Sequence, residues 1–301
     1  MKILLTTDGS DGAAVAARTA CRILRPENRQ ADLLCVAPEY RPQVTGWDEN
    51  RAGQRYRQRI VTETQGVLDR ANAALAVEGI TATSQREIGS PQAVIVQRSA
   101  GYDLTVVGAR GQTESSEAGI GPVANHVLHH AATSVLIGRE LHSDFGFRVL
   151  VAVDGSTASG RAVDAMTSLL DLESADVVLM HVMETPWIHL GLERDWLRSS
   201  DPIHDNIEPE IDWDSDLRFE AQRVVDAARE QLQAHRPEIE VEVAEGIPSY
   251  EILSEAEKRD CDLIVIGATG ITDLKHQLLG SVSYRTAWDA SCSVLVVRTA
   301  D

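Results

Sequence analysis

Lysine is almost missing from this chain of 301 residues: Lys2, Lys258 and Lys275 are its only lysines, and the formal net charge is -18. Phosphate backbones are held by clustered Lys and Arg, so the balance argues against a general nucleic-acid-binding protein and makes a polyanion a poor partner over most of the surface. Cysteine is also sparse. Cys21, Cys35, Cys261 and Cys292 form no CxxC pair, which leaves neither a zinc-knuckle spacing nor a dense disulfide framework and points to a reducing, cytoplasmic setting. No apolar run approaches the roughly 18 residues needed to span a bilayer, and Met1 and Lys2 lead straight into the strand-like Ile3 to Thr7 without an apolar leader. The Walker pattern GxxxxGK[ST] is absent, as is a GxGxxG turn after the first strand, so a P-loop NTPase and a typical dinucleotide dehydrogenase lose their main warrant.

What the chain does contain is a glycine pattern written twice. Gly267-Ala268-Thr269-Gly270 is followed by nine residues and then Gly280-Ser281-Val282, while Gly108-Ala109-Arg110-Gly111 is followed by nine residues and then Gly121-Pro122. Thr6-Thr7-Asp8-Gly9-Ser10 matches Ala152-Val153-Asp154-Gly155-Ser156 at an offset of 146, and the glycine loops match at 159. The chain is therefore one unit repeated, with about eleven extra residues after the second strand of the second copy. That insertion, within 183–213, carries Trp187, Trp196 and Trp213.

Each copy alternates strand and helix signals. The first predicts strands near 2–7, 31–36, 80–88, 103–108 and 134–139, with helices near 12–24, 51–78, 91–100 and 122–131. The second predicts strands near 147–153, 176–182, 238–245, 262–267 and 293–298. Leu263 to Ile266 and Val294 to Val297 are apolar on both faces, as suits parallel strands covered by helices on each side. The fold class is α/β: two tandem Rossmann-like domains, 1–143 and 144–301, dividing near Ser143.

The chemistry of the second loop follows from its residues. Glycines let backbone N–H groups approach an anion closely and take positive φ, and the helix opened by Gly280-Ser281 presents free N–H groups and a positive dipole end. Asp-Gly-Ser after the first strand, the Gly-x-Pro steps Gly89-Ser90-Pro91 and Gly246-Ile247-Pro248, the G-x2-G-x9-G-[S/T] loop and a closing Val-Leu-Val-Val strand together resemble the universal stress protein family over essentially the whole chain. The resemblance implies a five-stranded parallel sheet of order 3-2-1-4-5 in each domain. It also implies ATP as ligand, with ADP and AMP left open, and Mg2+ on the phosphates rather than on protein side chains. Carried over residue by residue, the nucleotide contacts would be Asp154, Val182, Gly267, Gly270, Gly280, Ser281 and Val282, with the Ala152 backbone beside the adenine.

The first copy departs from this pattern. Pro122 replaces the serine and removes a hydroxyl and a backbone N–H from the helix start, while Glu114 and Glu117 stand where the second loop has Asp273, Lys275 and His276. Asp8, Gly108, Gly111 and Gly121 are then remnants of a weaker first site, with glycines serving helix packing as the alternative. His126, His129 and His130 have a helical spacing that could hold a metal, against the simpler reading of a solvated helix face. The apolar terminal strands, Val135 to Ile137 and Val294 to Val297, would be exposed sheet edges unless the two units cover each other as a pseudo-dimer within one chain. The resulting expectation is a cytoplasmic stress-response regulatory protein acting through nucleotide-dependent conformation or protein partners, with homodimerisation open. Its rivals are a slow ATP hydrolase or phosphotransferase, and a nucleotide-free scaffold binding a partner or apolar ligand through the insertion.

Overall fold

The computed structural model describes residues 1–27, 29–39, 49–112, 119–142, 146–184, 213–235, 238–270 and 279–298. In the first unit β1 (Lys2–Thr6), α1 (Asp11–Ile23), β2 (Gln30–Ala37), α2 (Glu49–Val77), β3 (Ala82–Ile88), α3 (Pro91–Ser99), β4 (Leu104–Gly108), α4 (Pro122–His130) and β5 (Ser134–Gly138) follow one another. The second unit repeats them as β6 (Phe147–Ala152), α5 (Thr157–Leu169), β7 (Ala175–Met183), α6 (Trp213–Gln233), β8 (Glu240–Glu245), α7 (Pro248–Lys258), β9 (Leu263–Gly267), α8 (Ser281–Asp289) and β10 (Ser293–Val297). A short 3-10 turn at Leu172–Ser174, which the sequence did not suggest, precedes β7. Trp187, Trp196, Ser143 and the loop residues Glu114, Glu117, Asp273, Lys275 and His276 lie outside the described residues.

Local chemistry sets the helix starts. Ser10 and Ser156 end the two Asp-Gly-Ser turns by accepting the backbone N–H of Ala13 and Ser159, at 3.2 and 3.1 Å, which are N-cap bonds. Pro91, Pro122 and Pro248 each open a helix, where a missing N–H costs nothing.

Strand order within each unit is 3-2-1-4-5, all parallel, as the family resemblance implied. The two sheets join into one of ten strands through an antiparallel β5–β10 pair, with Val135 opposite Val296, Leu136 opposite Leu295 and Ile137 opposite Val294. All six side chains are essentially inaccessible to solvent, so the apolar edges are covered by one another. Neighbouring strand residues feed opposite faces, giving two cores that both run through the two units. One packs under α1, α2, α5 and α6 around Leu5, Leu33, Met166 and Val225; the other packs under α3, α4, α7 and α8 around Leu34, Leu128, Ile252 and Ala287.

Polar bonds at the junction repeat the pseudo-twofold relation. Ser293 Oγ accepts the Arg139 N–H at 2.9 Å and donates to its carbonyl at 3.1 Å; Ser134 Oγ exchanges the same two bonds with Arg298 at 3.2 and 3.3 Å. Away from the sheet, Arg25 N–H donates to Leu169 O and Asp171 N–H to Ile23 O, each at 2.9 Å, tying the ends of α1 and α5 together. The chain leading into the second unit is held by buried Asp262, whose carboxylate accepts the His142 and Arg148 N–H groups at 2.6 and 2.8 Å.

Candidate functional site

The 3-2-1-4-5 order makes β6 and β9 neighbours at the point where the winding reverses, so the segments leaving them diverge and open a crevice. A cleft of about 440 Å3 lies there. Ala152, Asp154, Val182, Gly267, Gly270, Gly280, Ser281 and Val282 all line it, so the eight residues singled out in the sequence converge on one place.

Asp154 lines the cleft beside the Gly267–Gly270 loop. Its Oδ1 accepts the Ser156 N–H at 2.9 Å, which fixes the turn, while a Cβ built on Gly270 would come within 2.8 Å of its Oδ2. The start of α8 also lines the cleft. Gly280 N–H donates to Ala268 O at 2.7 Å, among the described residues no side chain caps this helix, and its first turn carries no acid. Its leading N–H groups therefore face the cleft as anion donors. Ser283 Oγ donates to Gly267 O at 2.6 Å and pins that first turn to the end of β9.

The glycines have different duties. A Cβ on Gly267 would lie 2.9 Å from the Ala158 backbone, and one on Gly108 2.8 Å from the Gly12 backbone, so both are needed where a helix crosses the sheet. Gly280 is less crowded, its nearest neighbour being Ala268 O at 3.3 Å. The expectation that the loop glycines adopt positive φ is not met at Gly267, Gly270 or Gly280; the left-handed glycines of the described residues are Gly9, Gly79, Gly119, Gly146 and Gly155. Small size, not left-handed backbone, is what these loop positions use.

Several lining residues escaped the sequence reading. His181 Nδ1–H donates to Val153 O at 2.8 Å and fixes the imidazole at the lip of the cleft. Glu184 and Glu220 add acid on the α6 side, and Thr269 adds a hydroxyl beside Gly270. The only signal for His181 was a polar residue interrupting the apolar β7 run. Among the described residues no Lys or Arg lines the cleft, and the phosphate donors they offer are backbone dipoles and Ser281.

The corresponding cleft of the first unit is about 150 Å3 and includes Asp8, Gly108, Gly111 and Gly121. Both carboxylate oxygens of Asp8 are engaged: Oδ1 accepts the Ser10 N–H at 2.9 Å and Oδ2 the Gln112 N–H at 3.1 Å. The Gln112 side-chain amide also donates to Asp8 O, so the loop closes onto the aspartate. Arg110 lines this cleft as well, a cation that the sequence comparison of the two loops had not weighed.

A wider groove of about 1010 Å3 opens in the first unit at the amino ends of the strands, where Tyr102 donates to Asp32 at 2.6 Å. Ligands of open α/β sheets sit beyond the carboxyl ends, which keeps the weight on the clefts at the glycine loops.

Among the described residues there is no group of three or more His, Cys, Asp or Glu able to hold a metal. The histidines of α4 are engaged otherwise: His129 Nδ1 donates to Asn125 O at 2.8 Å and its ring packs 5.0 Å from Tyr284 of the other unit, while the His126 and His130 rings lie 4.4 Å apart. His126 is pushed below the usual imidazole range by partial burial, then by its two histidine neighbours. No helix among the described residues is long and apolar enough to cross a membrane.

A family model described as the universal stress protein family matches residues 1–139 and again residues 147–298. The chain belongs to the universal stress protein family. Universal stress protein YxiE of Bacillus subtilis is 30% identical over 151 residues, 50% of this chain and 98% of that one. A universal stress protein of Mycolicibacterium smegmatis is 25% identical over 306 residues, covering 98% of this chain and 96% of its own. The crystal structure of a universal stress protein from Archaeoglobus fulgidus superimposes with a TM-score of 0.67 at 20% identity, covering 99% of this chain and 98% of that one, a likeness of fold. The repeat in the sequence is thus a repeat of the family's domain.

Proposed function

We propose that this universal stress protein binds ATP in the cleft of its second unit, with Mg2+ on the phosphates, and that the nucleotide regulates its conformation or its contacts with protein partners. The observation that supports the reading is the start of α8, where no described side chain caps the helix and Gly280 and Ser281 line the same cleft as Asp154. Ser281, Val282 and the Gly267–Gly270 loop would take the phosphates and ribose, and Asp154, Val182 and Ala152 the nucleoside. The first cleft, smaller and closed by Gln112, would stay empty. A division into 1–143 and 144–301 and a cytoplasmic location belong to the same reading.

The reading is one of binding because what the described lining offers is anion donors; His181, whose Nδ1–H is held by Val153 O and whose Nε2 is then the basic nitrogen, is the general base that the hydrolase rival would use. Thermal unfolding of nucleotide-stripped protein tests the reading. Mg-ATP at about a hundred times its Kd should add roughly 2.7 kcal/mol to the stability of the folded state. No shift at saturating nucleotide moves the weight to a nucleotide-free scaffold, and sustained phosphate release lost on Ser281→Ala moves it to a hydrolase.

A further inference from the structure

The helix that opens onto the second cleft ends on a residue from the other unit. Arg139 leaves β5 of the first unit, crosses the β5–β10 seam and donates from Nη2 to Ala287 O at 3.2 Å, in the last turn of α8, and from Nη1 to Cys292 O at 2.9 Å just beyond it. Its backbone is locked to Ser293 by two hydrogen bonds. Arg298 makes the mirror-image contact, donating from Nη2 to Leu128 O at 2.8 Å and His129 O at 3.2 Å at the end of α4.

The two crossings are not equivalent in consequence. A helix C-terminus carries free carbonyls and a negative dipole end, both satisfied by a cation. The last turn of α4 supplies His129 and His130 of its own, whereas that of α8 has no basic residue and finishes on Asp289. Among the described residues Arg139 is the cation donating to the closing carbonyls of α8. The helix is nine residues long, so a shift at its last turn reaches its first. Ser283 on Gly267 O at the cleft end and Arg139 on Ala287 O at the far end thus both tether α8.

The geometry points to Arg139 as a positioning residue for the second unit's anion site, supplied by the first unit, so that the second cleft is incomplete without its neighbour. It acts by holding α8 with its leading N–H groups aimed into the cleft, and touches no ligand itself. This gives the tandem arrangement a role at the site as well as in the fold. The inference rests on the nucleotide reading above.

The pseudo-twofold relation provides the control. Arg139→Ala and Arg298→Ala remove guanidinium groups from pseudo-twofold-related places, so a role in global stability alone predicts no difference between them in Mg-ATP affinity. Full-length, nucleotide-stripped protein would be titrated with Mg-ATP and separately melted without ligand. Both variants should lose thermal stability, but only Arg139→Ala should weaken Mg-ATP binding, by about tenfold, equal to about 1.4 kcal/mol. Arg298→Ala should stay within about twofold of the parent. Arg139→Lys, which keeps a charge at the helix end and serves if the alanine variant does not fold, should recover most of the affinity.

Unchanged affinity in Arg139→Ala, or equal weakening in both alanine variants, overturns the positioning role while leaving nucleotide binding intact. If Arg139→Ala does not fold, an Arg139→Lys variant that folds yet binds as weakly as about tenfold below the parent also overturns it. Absence of any Mg-ATP heat in the parent removes the nucleotide reading and this inference together.

Discussion

Gly119 illustrates how a single missing Cβ sets the contact between units. It holds φ at +80°, and a Cβ there would fall 2.6 Å from the Trp288 ring of the other unit. Gly119→Ala combines left-handed strain with a steric clash and should cost about 1–3 kcal/mol, read as a lowered denaturation midpoint with an unchanged m-value. The cysteines give a second expectation at this scale. All four are free, and burial pushes Cys21 and Cys261 up to about 12 and Cys292 up to about 11, from an ordinary value of 9.0. The unfolded chain therefore loses these protons first as pH rises. The stability they contribute is complete below about pH 9 and drains away between about pH 9 and 12, so the melting temperature should fall across that window. Native protein should also resist thiol alkylation at pH 8 while denatured protein reacts at all four positions; rapid native labelling of the buried thiols would count against this packing.

At the scale of elements the seam between β5 and β10 matters most. Leu136 and Leu295 face each other in the antiparallel pair, each 1% exposed. Leu136→Ala should cost about 2–5 kcal/mol in chemical denaturation, the range of a buried cavity, where a loosely covered edge would give well under 1 kcal/mol. Most elements could be read in advance because period and punctuation agreed: short apolar runs such as Leu263 to Ile266, closed by the glycine turn, suit a buried strand, and Ser10, Ser156 and the prolines mark helix starts. The strand order could not be read this way, since several doubly wound orders share one alternation, and it came only with the family resemblance. The lining of the candidate cleft was legible where glycine spacing encoded it, at Gly270, Gly280 and Ser281, and at Asp154 through the family resemblance. It was illegible where it depended on a side chain meeting a distant backbone carbonyl, as with His181 on Val153 or Arg139 on Ala287. A trace of the latter was available: Ser134 and Arg139 recur at the repeat offset as Ser293 and Arg298, polar residues framing an otherwise apolar strand.

At the scale of the molecule the two units share one ten-stranded sheet, and both cores run through the pair. Neither unit can lose its fold without exposing the apolar edge of the other, so calorimetry should show one cooperative transition with equal calorimetric and van't Hoff enthalpies; two separated transitions would contradict the shared core. Within that shared frame the clefts differ. The second is wider and opens onto Gly280 and Ser281, while the first is narrower and folded onto Asp8 by Gln112. One occupied site per chain is the expected consequence. Isothermal titration of the full, nucleotide-stripped chain with Mg-ATP tests it most directly, repeated with Gly280→Asp, which sets a carboxylate at the start of α8. The predicted result is one site per chain, abolished by the substitution. Two equal sites, no binding, or binding that survives Gly280→Asp would contradict it.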